Sequence, residues 1–302
     1  MVICRRDTRV SSMHPSEGPD FLCVGMHKAG TQWLYDQLQG HPDFWMPPIK
    51  EIHYLERDDD RGRNAQYILE HKRSTSRPGA TRRSEIGDPR DRAFLEDMAG
   101  HRGLPLSLDR YADLFRHKGN LLSGDITPQY GEIPEDIVAQ VASRFPALKV
   151  ILLVRDPVSR AWSHISQWHR QERFDARVLE SPARFRAFVE GSKKLHKFSS
   201  ATRVAERWQA QVGSERLRAF FLEDISLQPD RVRREVVGFL GGDPEKEVVT
   251  VEAAFNRKSG HRKLELSHQN EAVLAEFLKD EIRACAERFG GCARDWPLKY
   301  GF

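Results

Sequence analysis

The sequence predicts an α/β protein with a P-loop-like, doubly wound and mostly parallel central sheet flanked by helices. Three observations carry that prediction. Residues 21–26 and Lys149–Val154 are continuous apolar runs, as in strands buried on both faces. Each run is followed by a tight turn and a segment with apolar residues at helical spacing. Strand-like and helix-like segments then alternate along the chain, the order that crossover connections between parallel strands require.

Taken in order, the first run ends at Gly25-Met26 and leads through a loop, residues 27–30, to Thr31, a residue suited to cap a helix. The helix carries Leu34, Tyr35 and Leu38 and stops near Gly40. Residues 120–124 and 149–154 read as two further strands, and Pro134 between them opens a helix through Ile137, Val138 and Val141. Arg155-Asp156-Pro157 turns the chain into a helix running to about Arg170. A helix at 202–212, a strand at 217–222 and a helix at 231–240 follow, closed by Gly241-Gly242-Asp243-Pro244. Residues 267–289 form one long amphipathic helix. Residues 57–108 break the rhythm, being rich in Arg, Asp, Ser and Gly; they read as a polar insertion, either a functional lid or a solvated loop. The expected organisation is a flexible tail at 1–19 and a single domain at 20–302.

With 302 residues, 39% hydrophobic and 30% charged, the chain has the composition of a globular protein. Its 48 basic residues against 44 acidic ones leave a net charge of +4, which suits a groove for a polyanionic ligand and not a nucleic-acid binder. Arg5, Arg6 and Arg9 near the start are not followed by an apolar segment, and no stretch approaches the ~20 apolar residues of a membrane span, so neither a signal peptide nor a span is expected. The four cysteines lack C-x-x-C spacing, which favours a reduced, cytoplasmic chain with Cys23 buried in the first strand. A Cys285–Cys292 disulfide would require the last helix to end between them.

The chemistry-bearing stretch is Gly25-Met26-His27-Lys28-Ala29-Gly30-Thr31, between strand and helix. Backbone amides at a helix start converge on an anion, glycines allow close approach, Lys28 adds a point charge and Thr31 a hydroxyl. The order is not that of a Walker A loop, where lysine follows the second glycine and a Ser/Thr for Mg²⁺ follows lysine. The same turn also serves without a ligand. A second anion site is suggested by Arg155 at the carboxyl end of the central strand, with Ser163 two helical turns on. Arg155 pairing with Asp156, merely to close the turn, is the alternative.

These residues resemble the sulfotransferases that use 3′-phosphoadenosine 5′-phosphosulfate (PAPS), in their heparan-sulfate-type and bacterial branches. Residues 24–31 are similar to the family's 5′-phosphosulfate loop, and Arg155-Asp156-Pro157 through Arg160 to Ser163 to its 3′-phosphate motif. Lys50-Glu51-Ile52-His53-Tyr54-Leu55 matches a K-E-x-H-F-F-like segment, and Gly124-Asp125-Ile126-Thr127-Pro128-Gln129-Tyr130 a G-E-x-T-P-x-Y stretch. Arg207-Trp208 and Phe221-Leu222-Glu223-Asp224 follow in family order, so the resemblance spans most of the chain from Phe21 to about Leu266. It departs at Gln32, where a second Thr or Ser is common, and at 256–262, which is only loosely like the family's basic loop.

The resemblance implies PAPS as co-substrate, 3′-phosphoadenosine 5′-phosphate (PAP) as product, and no metal. It implies Lys28 at the leaving oxygen and Glu51 as the base, with His53 as rival because imidazole suits neutral pH. Donor contacts are expected from Lys28, Ala29, Gly30, Thr31, Gln32, Arg155, Ser163, Ser259 and Arg262. His27 reads as neutral filler, and Trp208 as a candidate to stack on adenine. The expected acceptor is a hydroxyl or amine of a carbohydrate or small molecule. A P-loop-type phosphotransferase and a non-catalytic nucleotide- or sulfated-glycan-binding protein are the competing functions.

Overall fold

The computed structural model describes residues 17–56, 61–71, 88–248 and 264–302. Its sheet has four parallel strands, β1 (Phe21–Cys23), β2 (Gly124–Ile126), β3 (Lys149–Val154) and β4 (Leu217–Phe221), in the order β2-β1-β3-β4. The chain leaves β1 to build β2 on one side, then returns past it to build β3 and β4 on the other. That reversal places a crevice at the carboxyl ends of β1 and β3, where ligands of doubly wound sheets collect. β1, and β3 after Lys149, are apolar because both faces are covered, and from Val150 to Val154 the exposure is 0%.

The helix Ala201–Val212 packs on β3 and β4 and against the helix Glu135–Arg144, while Thr31–Gln39 meets Pro229–Leu240. Helix starts follow ordinary capping chemistry. Asp156 accepts from the amides of Val158 and Ser159, with Pro157 at the first helical position of Pro157–Arg170. Gly241, at φ 101°, closes Pro229–Leu240 in the left-handed region.

Several expectations shift. The strand expected at 120–124 starts at Gly124, and Leu122 makes only an isolated bridge to Phe44, because the pairing edge offered by β1 begins at Phe21. β1 proper ends at Cys23, although the amides of Val24 and Met26 still bond to Ile151 and Leu153. The single helix expected at 267–289 is two, His268–Phe277 and Lys279–Phe289, bent at Leu278. Only 4% of Leu278 is exposed, so the bend turns this residue inward together with Leu274 and Ile282. The latter helix ends at Phe289, yet Cys285 and Cys292 are free thiols, as is buried Cys23.

The described parts of 57–108 include two helices, Arg63–His71 and Pro89–Gly100, packed together through buried Ala65, Ile68, Phe94, Leu95 and Met98. Arg61 is buried and spends its donors on the carbonyls of Tyr54, Glu56 and Leu104. Trp45 Nε1 donates to Asp91 Oδ1 at 3.1 Å. Arg61 and Asp91 face inward, one onto backbone carbonyls and the other onto an indole, so composition concealed their contribution to the core. Of the expected tail, residues 1–16 lie outside the described residues, and Gly18 and Pro19 are already buried.

A side chain at Gly124 is incompatible with the β1–β2 contact, since an added Cβ would lie 2.4 Å from the Phe21 carbonyl oxygen and 2.6 Å from its ring. Gly124→Ala is expected to cost about 1–3 kcal/mol of stability, read as a lower urea midpoint.

Candidate active site

The loop after β1 is tied to the turn after β3. Arg155 Nη1 donates to the Lys28 carbonyl at 3.1 Å, so the two stretches singled out in the sequence meet at the crevice. Lys28 sits at φ 70° and Gly30 at φ 101°. The cap of Thr31–Gln39 is Gly30 and not Thr31, which is the first helical residue. No side chain caps this helix and its first turn holds no acidic residue, so its leading amides and their partial positive charge are directed at the crevice. Thr31 is buried and Gln32 donates to Asp36 Oδ1 at 2.9 Å. Ser163 lies half-buried on the Pro157–Arg170 helix, while Ser259 and Arg262 lie outside the described residues.

A third segment, residues 50–56, carries the acidic chemistry. Lys50 Nζ is 2.6 Å from Glu51 Oε1, His53 Nε2 is 3.7 Å from Glu51 Oε2, and His53 Nδ1 is 2.5 Å from Glu56 Oε1. Burial pushes the Glu51 carboxyl up, but His53 and Lys50 outweigh it and hold the group well below the usual carboxylate range. For His53, burial pushes down while Glu51 and Glu56 pull up, to about 10. At neutral pH Glu51 is a carboxylate and His53 an imidazolium. Glu51 also acts electrostatically on His27, the neighbour of Lys28, which places this segment beside the loop.

Glu51 and His53 have φ of 64° and 57°, a region that non-glycine residues rarely occupy. Their backbone is fixed from below. Asp125, at 1% exposure, accepts from Thr127 Oγ1 at 2.6 Å, Tyr130 Oη at 2.6 Å and Tyr111 Oη at 3.0 Å. Tyr130 Oη in turn accepts from the amide of Tyr54 at 2.9 Å and from that of Leu55 at 3.4 Å. β2 therefore sets the height of the 50–55 segment through one phenol. The motif that contains Asp125 assigns it no role, and nothing in the sequence marks the bond from the Tyr54 amide to Tyr130 Oη.

Two further features escaped the sequence. His27 and His164 lie 6.2 Å apart, with Phe198 4.9 Å from His27. Burial holds the two imidazoles at about 4 and about 3, so they form a neutral wall beside Lys28. His27 is thus a wall residue instead of filler. Trp208, in contrast, is fully buried and donates to the Tyr130 carbonyl at 3.2 Å, so it is a core residue and does not stack on a nucleotide. Arg207 beside it bonds the Gly131 and Ile133 carbonyls.

Two outcomes follow for this cluster. Because His53 has a folded-state pKa of about 10, above the ordinary value near 6.5, its stabilising contribution is complete below about pH 6.5 and lost as pH rises through about 10. The stability gap between wild type and His53→Gln, from urea titrations, should therefore close across that window. Tyr130→Phe should lower stability by about 1–3 kcal/mol and move the His53 titration, followed by ¹⁵N NMR, down toward the ordinary value. An unchanged titration would show that the phenol does not set the segment.

Comparison with known proteins identifies the family and the fold. A profile of the Sulfotransferase family matches residues 19–245. A sulfotransferase from Alicyclobacillus acidocaldarius shares the fold, with 20% identity, a TM-score of 0.61, and coverage of 92% of this chain and 98% of that one. The sulfotransferase domain of the Synechococcus PCC 7002 olefin synthase aligns at 21% identity and a TM-score of 0.48, covering 87% and 96%. Among curated protein sequences none matches. With the profile spanning most of the chain, and with the loop after β1 and the turn after β3 joined at one crevice, this protein belongs to the sulfotransferase family.

Proposed function

We propose that the chain transfers a sulfuryl group from PAPS to a hydroxyl or amine of a carbohydrate or small-molecule acceptor. The observation that carries this reading is the junction of Lys28, the uncapped start of Thr31–Gln39 and Arg155 at one crevice, with the Glu51 carboxylate beside it. The described residues fit the donor: amides and Lys28 for its 5′-phosphosulfate, and Arg155 and Ser163 for its 3′-phosphate; Ser259 and Arg262, outside the described residues, are assigned to it from the sequence. PAPS supplies the sulfuryl group and departs as PAP. Three free cysteines among the described residues are in keeping with a reducing, cytoplasmic setting.

Each residue then has one task. Glu51 accepts the proton of the acceptor O–H or N–H as the bond to sulfur forms in line. Lys28 and the first-turn amides of Thr31–Gln39 meet the negative charge that grows on the phosphate oxygen as the S–O bond breaks. His53, as an imidazolium paired with Glu51 and Glu56, holds the carboxylate's orientation and is not the base. The low proton affinity of Glu51 suits a loose transfer in which the acceptor proton leaves late, so that orientation matters more than basicity. None of these tasks calls for a metal.

The test is calorimetric binding of PAP together with turnover of labelled PAPS on an acceptor panel. Glu51→Gln is expected to bind PAP like wild type and to lose about 10²–10⁴-fold in turnover. Lys28→Ala should lose about 10²–10³-fold in turnover and also weaken PAP binding. Wild-type protein that fails to bind PAP would remove the donor assignment. Turnover should persist on the acid side until Glu51 is protonated, well below the ordinary glutamate value of about 4.3.

A further inference from the structure

The carboxyl-terminal residues close on the second anion site. Asp156 is 3% exposed and fully engaged: Oδ1 accepts from the amides of Val158 and Ser159 at 2.9 and 3.1 Å, and Oδ2 from Lys299 Nζ at 2.6 Å and Tyr300 Oη at 2.7 Å. The Asp156 amide donates to Glu223 Oε1 at 3.0 Å, and the other Glu223 oxygen is buried without a partner. Two carboxylates thus flank Arg155. They offset the positive potential that Arg155, with the buried Arg160 near it, would present to a phosphate.

Lys299 restores the balance. Its ammonium has three donors, of which the bond to Asp156 uses one, and 48% of its side chain is exposed. The segment that carries it is well anchored. Trp296–Lys299 is helical, the Phe302 amide bonds to the Pro297 carbonyl at 2.9 Å, and Lys279 lies 4.8 Å over the Phe302 ring. Tyr300 adds a hydroxyl and stacks under Lys299 at 4.7 Å.

We propose that Lys299, held by Asp156 and Tyr300, is part of the donor site and favours a nucleotide that carries a 3′-phosphate. The inference rests on the PAPS reading above. It adds a residue from the end of the chain, outside the stretch matched by the family profile.

The experiment compares PAP with adenosine 5′-phosphate, which lacks the 3′-phosphate, by isothermal titration calorimetry. Lys246→Gln serves as a matched control, since Lys246 makes a similarly exposed ion pair with Asp43. Lys299→Gln is expected to weaken PAP about three- to tenfold and adenosine 5′-phosphate less than about twofold, with Lys246→Gln moving neither. Lys299→Glu should weaken PAP further. If wild type prefers PAP and Lys299→Gln keeps the whole preference, the proposal fails alone. The same holds if both nucleotides weaken equally. If wild type shows no preference for PAP, the donor reading fails and the proposal with it.

Discussion

A single buried carboxylate organises the side of this protein that carries residues 50–56. Asp125 takes hydrogen bonds from three hydroxyl groups at almost complete burial, and desolvation pushes its pKa up against them. Such a group is tolerable only when every lone pair is met, so its partners cannot drift independently. Tyr130 is the partner that matters beyond the core, because its oxygen also receives the amides of Tyr54 and Leu55. Tyr54 stacks on Tyr111 at 4.9 Å, which ties the segment to the same network a second time. Arg61 then binds the Tyr54 carbonyl, so the segment is held at both its amide and its carbonyl.

Rigidity of this kind explains how left-handed backbone survives at Glu51 and His53. Unusual torsions persist where surrounding contacts over-determine them, and here the contacts come from Tyr130, in the turn after β2, and from Arg61. The reward is electrostatic. Lys50, Glu51, His53 and Glu56 form a chain of alternating charge in which Glu51 is fully ionised at neutral pH. Beside it, His27 and His164 stay neutral through burial and add no cation next to Lys28.

The crevice itself is a property of chain order. Building β2 on one side of β1 and β3 on the other leaves the loop after β1 and the turn after β3 side by side, whatever their sequences. Arg155 exploits that adjacency by bonding the Lys28 carbonyl. Fewer than two helical turns separate Arg155 from Arg160, which is buried and reaches Ser199 Oγ at 2.6 Å, so the same helix also fastens the segment that carries Phe198. The loop, the turn and the neutral wall are therefore one packed unit.

By itself the sequence determined the periodic parts: β3 to the residue, the helices Pro157–Arg170 and Ala201–Val212 within a residue or two, the start of Glu135–Arg144, and the loop and turn that carry Lys28 and Arg155. These are legible because apolar spacing and glycine or proline punctuation act over a few neighbouring residues. Only the tertiary structure decided the rest. The Arg- and Asp-rich stretch after residue 57 supplies core helices, Trp208 is structural, the long last helix bends at Leu278, and Lys299 reaches back to Asp156. At Asp91, Trp208 and Lys299, a polar or aromatic group is satisfied by a partner far away in the chain. Local sequence shows that such a group needs a partner, but only the folded chain shows which partner it finds.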